Sequence, residues 1–245
     1  QYEEILNNLS DKYRNKNNES MISGNQEFDK SHRHFSHVLE YKNLRSIDPF
    51  EDNSLIKKDI DRIISFGSDE WVGFSFTEIA GLYALINDGN NAYKNLQIFS
   101  NNFVHPNGFH MNNDYKEYKY SKMTCYVFTL EANFGYLTAV EDMMLKTYQN
   151  KLEVFPSLPD SFFKKKTSFK NLRIPGDHKI SASTRKGDIS FKINMSKEDT
   201  IVIKNNFASN PVINVDGCMV EYHKDIGEFI EITAKRFVEF KKENK

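Results

Sequence analysis

The chain has 245 residues, which is enough for one large domain or two ordinary ones. Its 33 basic and 34 acidic residues give a formal net charge of -1, so the chain as a whole offers no electrostatic support for nucleic acid, and no such partner is predicted. Hydrophobic residues make up 39% of the sequence, but no apolar run approaches the ~20 residues that span a bilayer. A globular protein without a membrane partner is therefore expected.

Two cysteines, Cys125 and Cys218, lie far apart in apolar surroundings and are predicted to be small core residues. Their spacing indicates neither a disulfide framework nor a metal site. The chain starts at Gln1 without a basic and apolar leader. Because a signal peptide could have been removed, or the chain could be a piece of a longer protein, this start leaves the compartment open.

The first 150 residues show helical periodicity. Ser54, the capping box of Ser75 and Glu78, Asn90 and Asn133 are predicted to begin helices. Short turns between such helices are typical of stacked antiparallel hairpins. The predicted inward-facing side chains are Tyr2, Ile5, Leu6, Leu9 and Tyr13; Ile56, Ile60, Ile63 and Ile64; Phe76, Ile79, Ala80, Tyr83 and Ile86; Ala92, Leu96 and Phe99; and Leu137, Val140, Met144 and Tyr148.

The period changes to two after an irregular connector that contains Pro156 and Pro159. Short alternating segments then follow one another to residue 240, and several are separated by glycine-containing turns. This pattern predicts an antiparallel β-sandwich. The segments are "KISAS", "DISFKINM", "TIVIK", "VINV", "MVEYH", "EFIEIT" and "RFVEF".

Three of the seven histidines fall in "SHRHFSHV", residues 31–38. Neutral imidazoles can ligate zinc, but Arg33 places a fixed positive charge among them and no carboxylate or cysteine completes a familiar ligand set. Two other interpretations stay open. The cluster can be a polar clamp for a hydroxyl-rich ligand, or a buried hydrogen-bond network that holds a loop.

"TLEANFG", residues 129–135, is a second candidate site. Glu131 lies just before a predicted helix start, where the helix dipole favours the ionised carboxylate. Such a carboxylate can act as a base or orient one. Asn133 is either a ligand-facing amide or simply the N-cap of the helix.

Aromatic groups mark two further stretches. Trp71, the only tryptophan, precedes the predicted capping box and can either stack on a sugar or pack over a helix end. The segment "HPNGFHMNNDYKEYKY", residues 105–120, is rich in aromatic and amide groups and suits a ligand-facing loop.

Taken in order, these stretches resemble glycoside hydrolase family 95, the inverting α-L-fucosidase family. Its histidine stretch, its tryptophan–glycine segment and its N-F-G segment are similar to "HRHFSH", "WVGFS" and "EANFG". Its proline connector and the following G-L-R segment resemble "FPSLPDSF" and "KNLRIPG". The resemblance extends from about residue 30 to about residue 190.

The resemblance implies an α plus β two-domain fold, in which part of an (α/α)6 helical toroid is followed by an antiparallel β-sandwich. Residues 1–150 would be the C-terminal portion of the barrel-like catalytic domain, 151–165 a linker and 166–245 the sandwich. A closed barrel of twelve helices needs on the order of 300 residues. The chain is therefore expected to hold only part of the barrel and to need the remaining N-terminal part of the same protein.

The resemblance also implies hydrolysis of terminal α-L-fucosides or related α-L-galactosides in an oligosaccharide or glycoconjugate, with inversion. Glu131 occupies the place of a family aspartate that polarises the asparagines holding the attacking water. Ala132 stands where the family usually has glycine. The family's general acid and water-binding asparagines lie upstream of its histidine stretch, so their counterparts are expected before Gln1 or in a segment without resemblance to the family.

The substrate-binding residues expected on this basis are His32, Arg33, His34, His37, Trp71 and Asn133, with Glu131 as the catalytic residue. No metal and no cofactor are expected, and a secreted or periplasmic bacterial enzyme is favoured by analogy. Two alternatives stay open: an inactive carbohydrate-binding or structural remnant of the family, and an unrelated hydrolase with a metal held by the histidines.

Overall fold

The computed structural model describes residues 2–8, 12–51, 53–116, 118–162 and 164–242. Its α-helices are α1 (Tyr2–Asn7), α2 (Leu39–Lys42), α3 (Ser54–Ser65), α4 (Gly73–Leu85), α5 (Gly89–Asn102) and α6 (Glu131–Met144). Its strands are β1 (Met21–Ser23), β2 (Gln26–Glu27), β3 (His110–Met111), β4 (Phe128–Thr129), β5 (Leu145–Tyr148), β6 (Lys151–Val154), β7 (Lys166–Ile174), β8 (His178–Arg185), β9 (Asp188–Asn194), β10 (Asp199–Lys204), β11 (Val212–Val215), β12 (Cys218–Glu221), β13 (Phe229–Ala234) and β14 (Phe237–Phe240). Helices and multi-stranded sheets together confirm the α plus β class.

The chain divides into two compact units. The first consists of residues 1–76 and 98–132, and the second of residues 77–97 and 133–245. The domain boundaries drawn from the sequence stay a prediction. The predicted linker begins with strand β6 rather than with irregular chain, because Leu152 and Val154 are buried there and β6 pairs antiparallel with β5.

The periodicity of α3 predicted its buried face. Ile56, Ile60 and Ile63 are at most 1% exposed, whereas Ile64 is 42% exposed and does not face inward. Ser54 is the first helical residue and Asn53 occupies the N-cap position, so the predicted cap is one residue late. The predicted inward positions of α5 (Ala92, Leu96 and Phe99) are all buried.

The capping box predicted at Ser75 and Glu78 is wrong. Helix α4 begins at Gly73, so Ser75 lies inside its first turn. The predicted inward residues Phe76, Ile79 and Ala80 are nonetheless buried. A periodic apolar stripe therefore located this helix better than its capping signal did.

Two other helix predictions fail in part. The helix predicted from Tyr2 to Tyr13 ends at Asn7, its Tyr2 and Ile5 side chains are exposed, and Leu9 lies outside the described residues. In α6, Leu137 is 60% exposed rather than inward-facing.

Both cysteines are exposed, against the prediction of core residues. Cys125 lies in a segment without regular structure, and Cys218 lies on β12, whose four residues are all exposed. Because β12 is an edge strand of its sheet, its apolar sequence does not imply burial.

The second unit holds two sheets. The six-stranded sheet has the order β12–β11–β14–β9–β8–β7 and is antiparallel throughout. The four-stranded sheet has the order β13–β10–β6–β5, with β10 parallel to β6. Apolar side chains from both sheets form one hydrophobic cluster, which includes Leu152, Ile180, Phe191, Ile203 and Val238. The alternation read from the sequence is confirmed by Ile180, Ala182, Ile189, Phe191 and Ile193, which are all buried.

A buried ion pair lies in the same unit. Lys146 on β5 is 1% exposed, and its Nζ lies 3.0 Å from a carboxylate oxygen of Glu153 on β6. Lys146 Nζ also donates to Asn87 Oδ1 over 2.6 Å and to the Leu85 carbonyl over 3.3 Å, and the amide of Asn87 donates to Glu153 over 3.2 Å. Both charges are thus held by several hydrogen bonds away from solvent.

None of the described helices combines the length and the apolar character that a bilayer crossing requires.

Candidate active site

The histidine-rich turn is held by its neighbours in the first unit. The Ser75 hydroxyl donates to the Arg33 carbonyl over 2.7 Å and accepts the Val72 N–H over 3.1 Å, so it joins the turn to the start of α4. Ser31 donates to the Gly67 carbonyl over 3.0 Å and accepts the Glu70 N–H. These bonds hold the turn at Ser31 and Arg33 without using the guanidinium group. The His32 ring also contributes, because its Nδ1 accepts the His34 N–H over 3.1 Å.

The side chains of His32, Arg33 and His34 are exposed on this turn. Arg33 Nε donates to His34 Nε2 over 3.2 Å, so this nitrogen acts as an acceptor and its ring is neutral. Partial burial lowers the pKa of His34, and the positive charges of Arg33 and His32 lower it further. The turn therefore presents a fixed guanidinium beside an uncharged imidazole.

Glu131 lies in the same unit as this turn and is exposed at the first position of α6. Its negative charge acts on His34, where it raises the pKa against the effect of burial. A carboxylate in the first helical turn also meets the favourable end of the helix dipole. The two stretches singled out in the sequence thus lie within electrostatic range of each other.

His110 is a neighbour of Glu131 that the sequence did not single out. Strand β3 pairs with β4 in a register that puts His110 opposite Thr129, two residues before Glu131, and the Thr129 hydroxyl lies 2.6 Å from His110 Nδ1. Burial lowers the pKa of His110 to about 4, and the charge of Glu131 opposes this shift. A β-carbon at Gly73 would collide with His110 Nε2, so the ring needs glycine at that position. The only signal in the sequence was the aromatic and amide-rich character of residues 105–120.

His37 and Trp71 are oriented inward, which is at odds with their predicted contact with substrate. The His37 ring stacks on Phe28 at 4.5 Å between centroids, and both of its nitrogens are buried without a hydrogen-bond partner among the described residues. Trp71 is 2% exposed and packs edge-on against Phe35 and Phe76, with centroid distances of 5.3 and 5.0 Å. The Trp71 ring is thus enclosed in this conformation, and one face of the His37 ring is covered by Phe28.

His37 should make the protein sensitive to acid. Burial lowers the pKa of its imidazole to about 4, compared with about 6.5 in an unfolded chain. Between these values the unfolded chain binds a proton that the folded chain does not, so stability falls as the pH drops from about 6.5 towards 4. The variant His37→Phe should weaken this dependence: between pH 7 and pH 5 its free energy of unfolding should fall by about 2 kcal/mol less than that of the wild type. Urea titrations at pH 7 and pH 5 measure the free energy of unfolding of both proteins. If the variant loses as much stability between these pH values as the wild type does, His37 is not a source of the acid sensitivity.

Asn133 is the third residue of α6 and belongs to the second unit. The helix begins two residues earlier than the sequence indicated, so Asn133 is not its N-cap. Its predicted role in substrate binding stays a prediction.

Among the described residues, no group of three or more histidine, cysteine, aspartate or glutamate side chains could hold a metal ion. Arg33, which lies between two of the exposed histidines, also fits poorly into a cation site because its charge would repel the ion.

The model of the glycosyl hydrolase family 95 catalytic domain matches residues 14–144. The chain belongs to glycosyl hydrolase family 95. The match covers more than half of the chain, and it includes the histidine turn, Trp71, His110 and Glu131. It confirms the resemblance seen in the sequence as far as residue 144 and makes glycoside hydrolase the enzyme class. The search of curated proteins returned no match.

The family 95 match ends at Met144, where α6 also ends. The second unit contains two sheets that share one core. Their strands, from β5 onwards, lie outside the family 95 match. All residues of the candidate site lie inside the match and inside the first unit. They are His32, Arg33, His34, His110 and Glu131.

Proposed function

We propose that this chain supplies part of the active site of an inverting glycoside hydrolase that acts on terminal α-L-fucosides or related α-L-galactosides. The observation that carries the proposal is the grouping of Arg33, His34 and Glu131 in one unit, exposed and electrically coupled, inside the family 95 match. Hydroxyl-rich ligands need several donors and acceptors with fixed directions. The turn offers such groups on a backbone that Ser75 holds in place.

Glu131 is proposed as the carboxylate on the water side of the bond. An inverting enzyme uses one carboxylic acid to protonate the leaving oxygen and a carboxylate on the opposite face to activate water, ~6.5–9.5 Å away. An exposed carboxylate at a helix start is available for the second role, either directly or by polarising groups that hold the water. The general acid would come from another part of the catalytic domain.

Arg33 and His34 are proposed to bind the sugar. One N–H of the Arg33 guanidinium is engaged by His34, which leaves the others free to donate to sugar hydroxyls. Because His34 Nε2 already accepts this bond, its Nδ1 carries the proton and can donate. His32 adds a third exposed ring on the same turn.

The catalytic domain is proposed to be an (α/α)6 toroid that the remaining N-terminal part of the same protein completes. The six α-helices of the described residues are too few for a barrel of twelve. Apolar side chains are also exposed in the first unit. Phe128, shortly before Glu131 in the sequence, is 53% exposed, and its ring lies 4.9 Å from that of Phe109, which is 47% exposed. Exposed apolar surface of this kind is typical of a face that another segment covers. The present chain alone is therefore expected to be inactive, and its two facing sheets are proposed to form the sandwich.

The test is hydrolysis by the full-length gene product. Aryl α-L-fucoside and α-L-galactoside substrates should be cleaved, and proton NMR of the first product should show the β-anomer, which inversion produces. Absence of hydrolysis, or an α-anomer as first product, would contradict the proposal. A secreted or periplasmic location is proposed with it, since extracellular glycans are the expected substrates.

A second candidate is an inactive carbohydrate-binding or structural remnant. Glu131 followed by Ala132 departs from the aspartate and glycine of the family, and Ala132 is fully buried in α6. A side chain one methylene longer can misplace a reacting group by about 1 Å, which can cost ~100-fold in rate. Calorimetric binding of L-fucose to the full-length gene product without turnover would favour this candidate.

A further inference from the structure

A shallow groove lies on the outer face of the six-stranded sheet, wholly within the second unit. It has a volume of about 310 Å³ and runs across β7, β8, β9 and β14. Its polar lining includes Ser168, Ser183 and Ser190 together with Lys166, Lys170 and Lys192. None of its lining residues belongs to the proposed glycosidase site.

A row of hydroxyl groups crosses the groove. In the strand register Ser168 lies opposite Ser183, and Ser183 lies opposite Ser190. Because side chains alternate between the faces of a sheet, the residues next to them, such as Ala182 and Phe191, point into the core. The three serines therefore lie side by side on the outer face, where they can bond to hydroxyl or anionic oxygens of a ligand.

Basic side chains outnumber acidic ones at this face, although the strand register places Arg185 opposite Asp188 and Lys192 opposite Glu239. Lys166 lies directly opposite Arg185 on the neighbouring strand, and like charges in this position destabilise a sheet. The two carboxylates that line the groove and its adjoining end are already engaged: Glu239 lies 3.1 Å from Lys241 and Asp188 lies 2.8 Å from Lys242. The basic residues at this face that form no ion pair among the described residues are Lys166, Lys170, Arg185, Lys186 and Lys192.

Aromatic stacking cannot be the means of recognition in this groove. The rings that contribute to its lining, Phe169, Phe191 and Phe240, are at most 9% exposed and belong to the core. Neutral sugars and nucleic-acid bases are commonly held by stacking on exposed rings. The groove instead offers ammonium groups and hydroxyls, which suits a ligand with many negative charges and many hydroxyls.

We propose that this groove binds an anionic polysaccharide that carries sulfate or carboxylate groups. A net charge of -1 for the whole chain does not exclude such a site, because a local surplus of positive charge can attract an anion. The choice of a polysaccharide among polyanions rests on membership of a glycoside hydrolase family. Binding itself does not require catalysis, so it can be present or absent whatever the outcome of the hydrolysis assay.

The experiment compares the 245-residue chain with two charge-reversal variants by fluorescence anisotropy. One variant carries Lys166→Glu, Lys170→Glu and Lys192→Glu. The control carries Lys197→Glu, Lys224→Glu and Lys235→Glu, which make the same change of net charge in the same unit but outside the groove. Labelled dextran sulfate and polygalacturonate are the anionic probes, and dextran is the neutral one. Thermal unfolding and circular dichroism establish that both variants are folded.

Dextran sulfate, polygalacturonate or both should bind, and the probe that binds identifies the anion. The groove variant should bind at least about 10-fold more weakly than the control variant, and added salt should weaken the wild-type complex. Three results would overturn the proposal: no binding of either anionic probe, equal losses in both variants, or binding of dextran as tight as that of the anionic probes. Tighter binding of single-stranded poly-dT than of both anionic polysaccharides would assign the groove to nucleic acid and overturn it as well.

Discussion

Replacing Glu131 by glutamine is expected to lower kcat of the full-length gene product on α-L-fucosides by roughly 100- to 10,000-fold, the range in which a positioned base contributes. Glutamine keeps the size of the side chain and most of its hydrogen-bonding capacity, but it cannot take up a proton or hold a negative charge. The side chain is exposed at the start of α6, so folding should be little affected. Steady-state kinetics measure the effect, and KM should change much less than kcat.

The matched control for this variant is Glu141→Gln. Glu141 is an exposed glutamate on the same helix, ten residues further along, and its replacement should leave kcat unchanged. Glu131→Asp restores the residue type of the family and should retain most of the activity or raise it. If Glu131→Gln turns over substrate as fast as the wild type, Glu131 has no role on the water side of the bond.

Replacing Lys146 by methionine is expected to destabilise the protein by about 3–5 kcal/mol, because it leaves the charge of Glu153 buried and without its nearest partner. Lys146 and Glu153 are 1% and 3% exposed, so water cannot replace the lost interaction. Methionine fills much of the volume of lysine, which keeps the effect electrostatic rather than steric. The free energy of unfolding from urea titration measures the loss.

Two further variants test whether the loss of stability comes from the Lys146–Glu153 pair itself. Lys204 also lies near Glu153, at 3.7 Å, but its side chain is 25% exposed, so Lys204→Met should cost no more than about 1 kcal/mol. The double variant Lys146→Met with Glu153→Leu should recover most of the stability, since a buried ion pair can be replaced by apolar groups at little cost. If the double variant is as unstable as Lys146→Met alone, the unpaired carboxylate is not the cause.

The sheets and the buried stripes of the long helices were predictable because they depend on local alternation of apolar and polar side chains. Ile60 and Ile63 on α3, and Ile180 and Phe191 on β8 and β9, all lie where their period placed them. Helix starts were less predictable, since a serine such as Ser75 can bond to a distant carbonyl instead of capping its own helix.

The composition of the candidate site was only partly predictable. The sequence singled out the histidine turn and Glu131. The electrostatic interaction between His34 and Glu131 depends on the distance between them, which only the three-dimensional structure gives. His110 joined them through the pairing of two short strands, in which it lies opposite Thr129, 19 residues further along the chain, and no local pattern encodes this pairing. The inward orientation of Trp71 follows from the packing of Phe35 and Phe76 around it, and a single tryptophan in a sequence does not reveal such packing.

The Ser75 hydroxyl grips the main chain of Arg33 and not its side chain. The loop can therefore keep its course while the side chains at positions 33 and 34 are exchanged, whereas the His32 ring accepts the His34 N–H and helps to hold the turn. Sugar preference in descendants or designed variants of this protein could then diverge by substitutions at positions 33 and 34, with the scaffold beneath them left as it is.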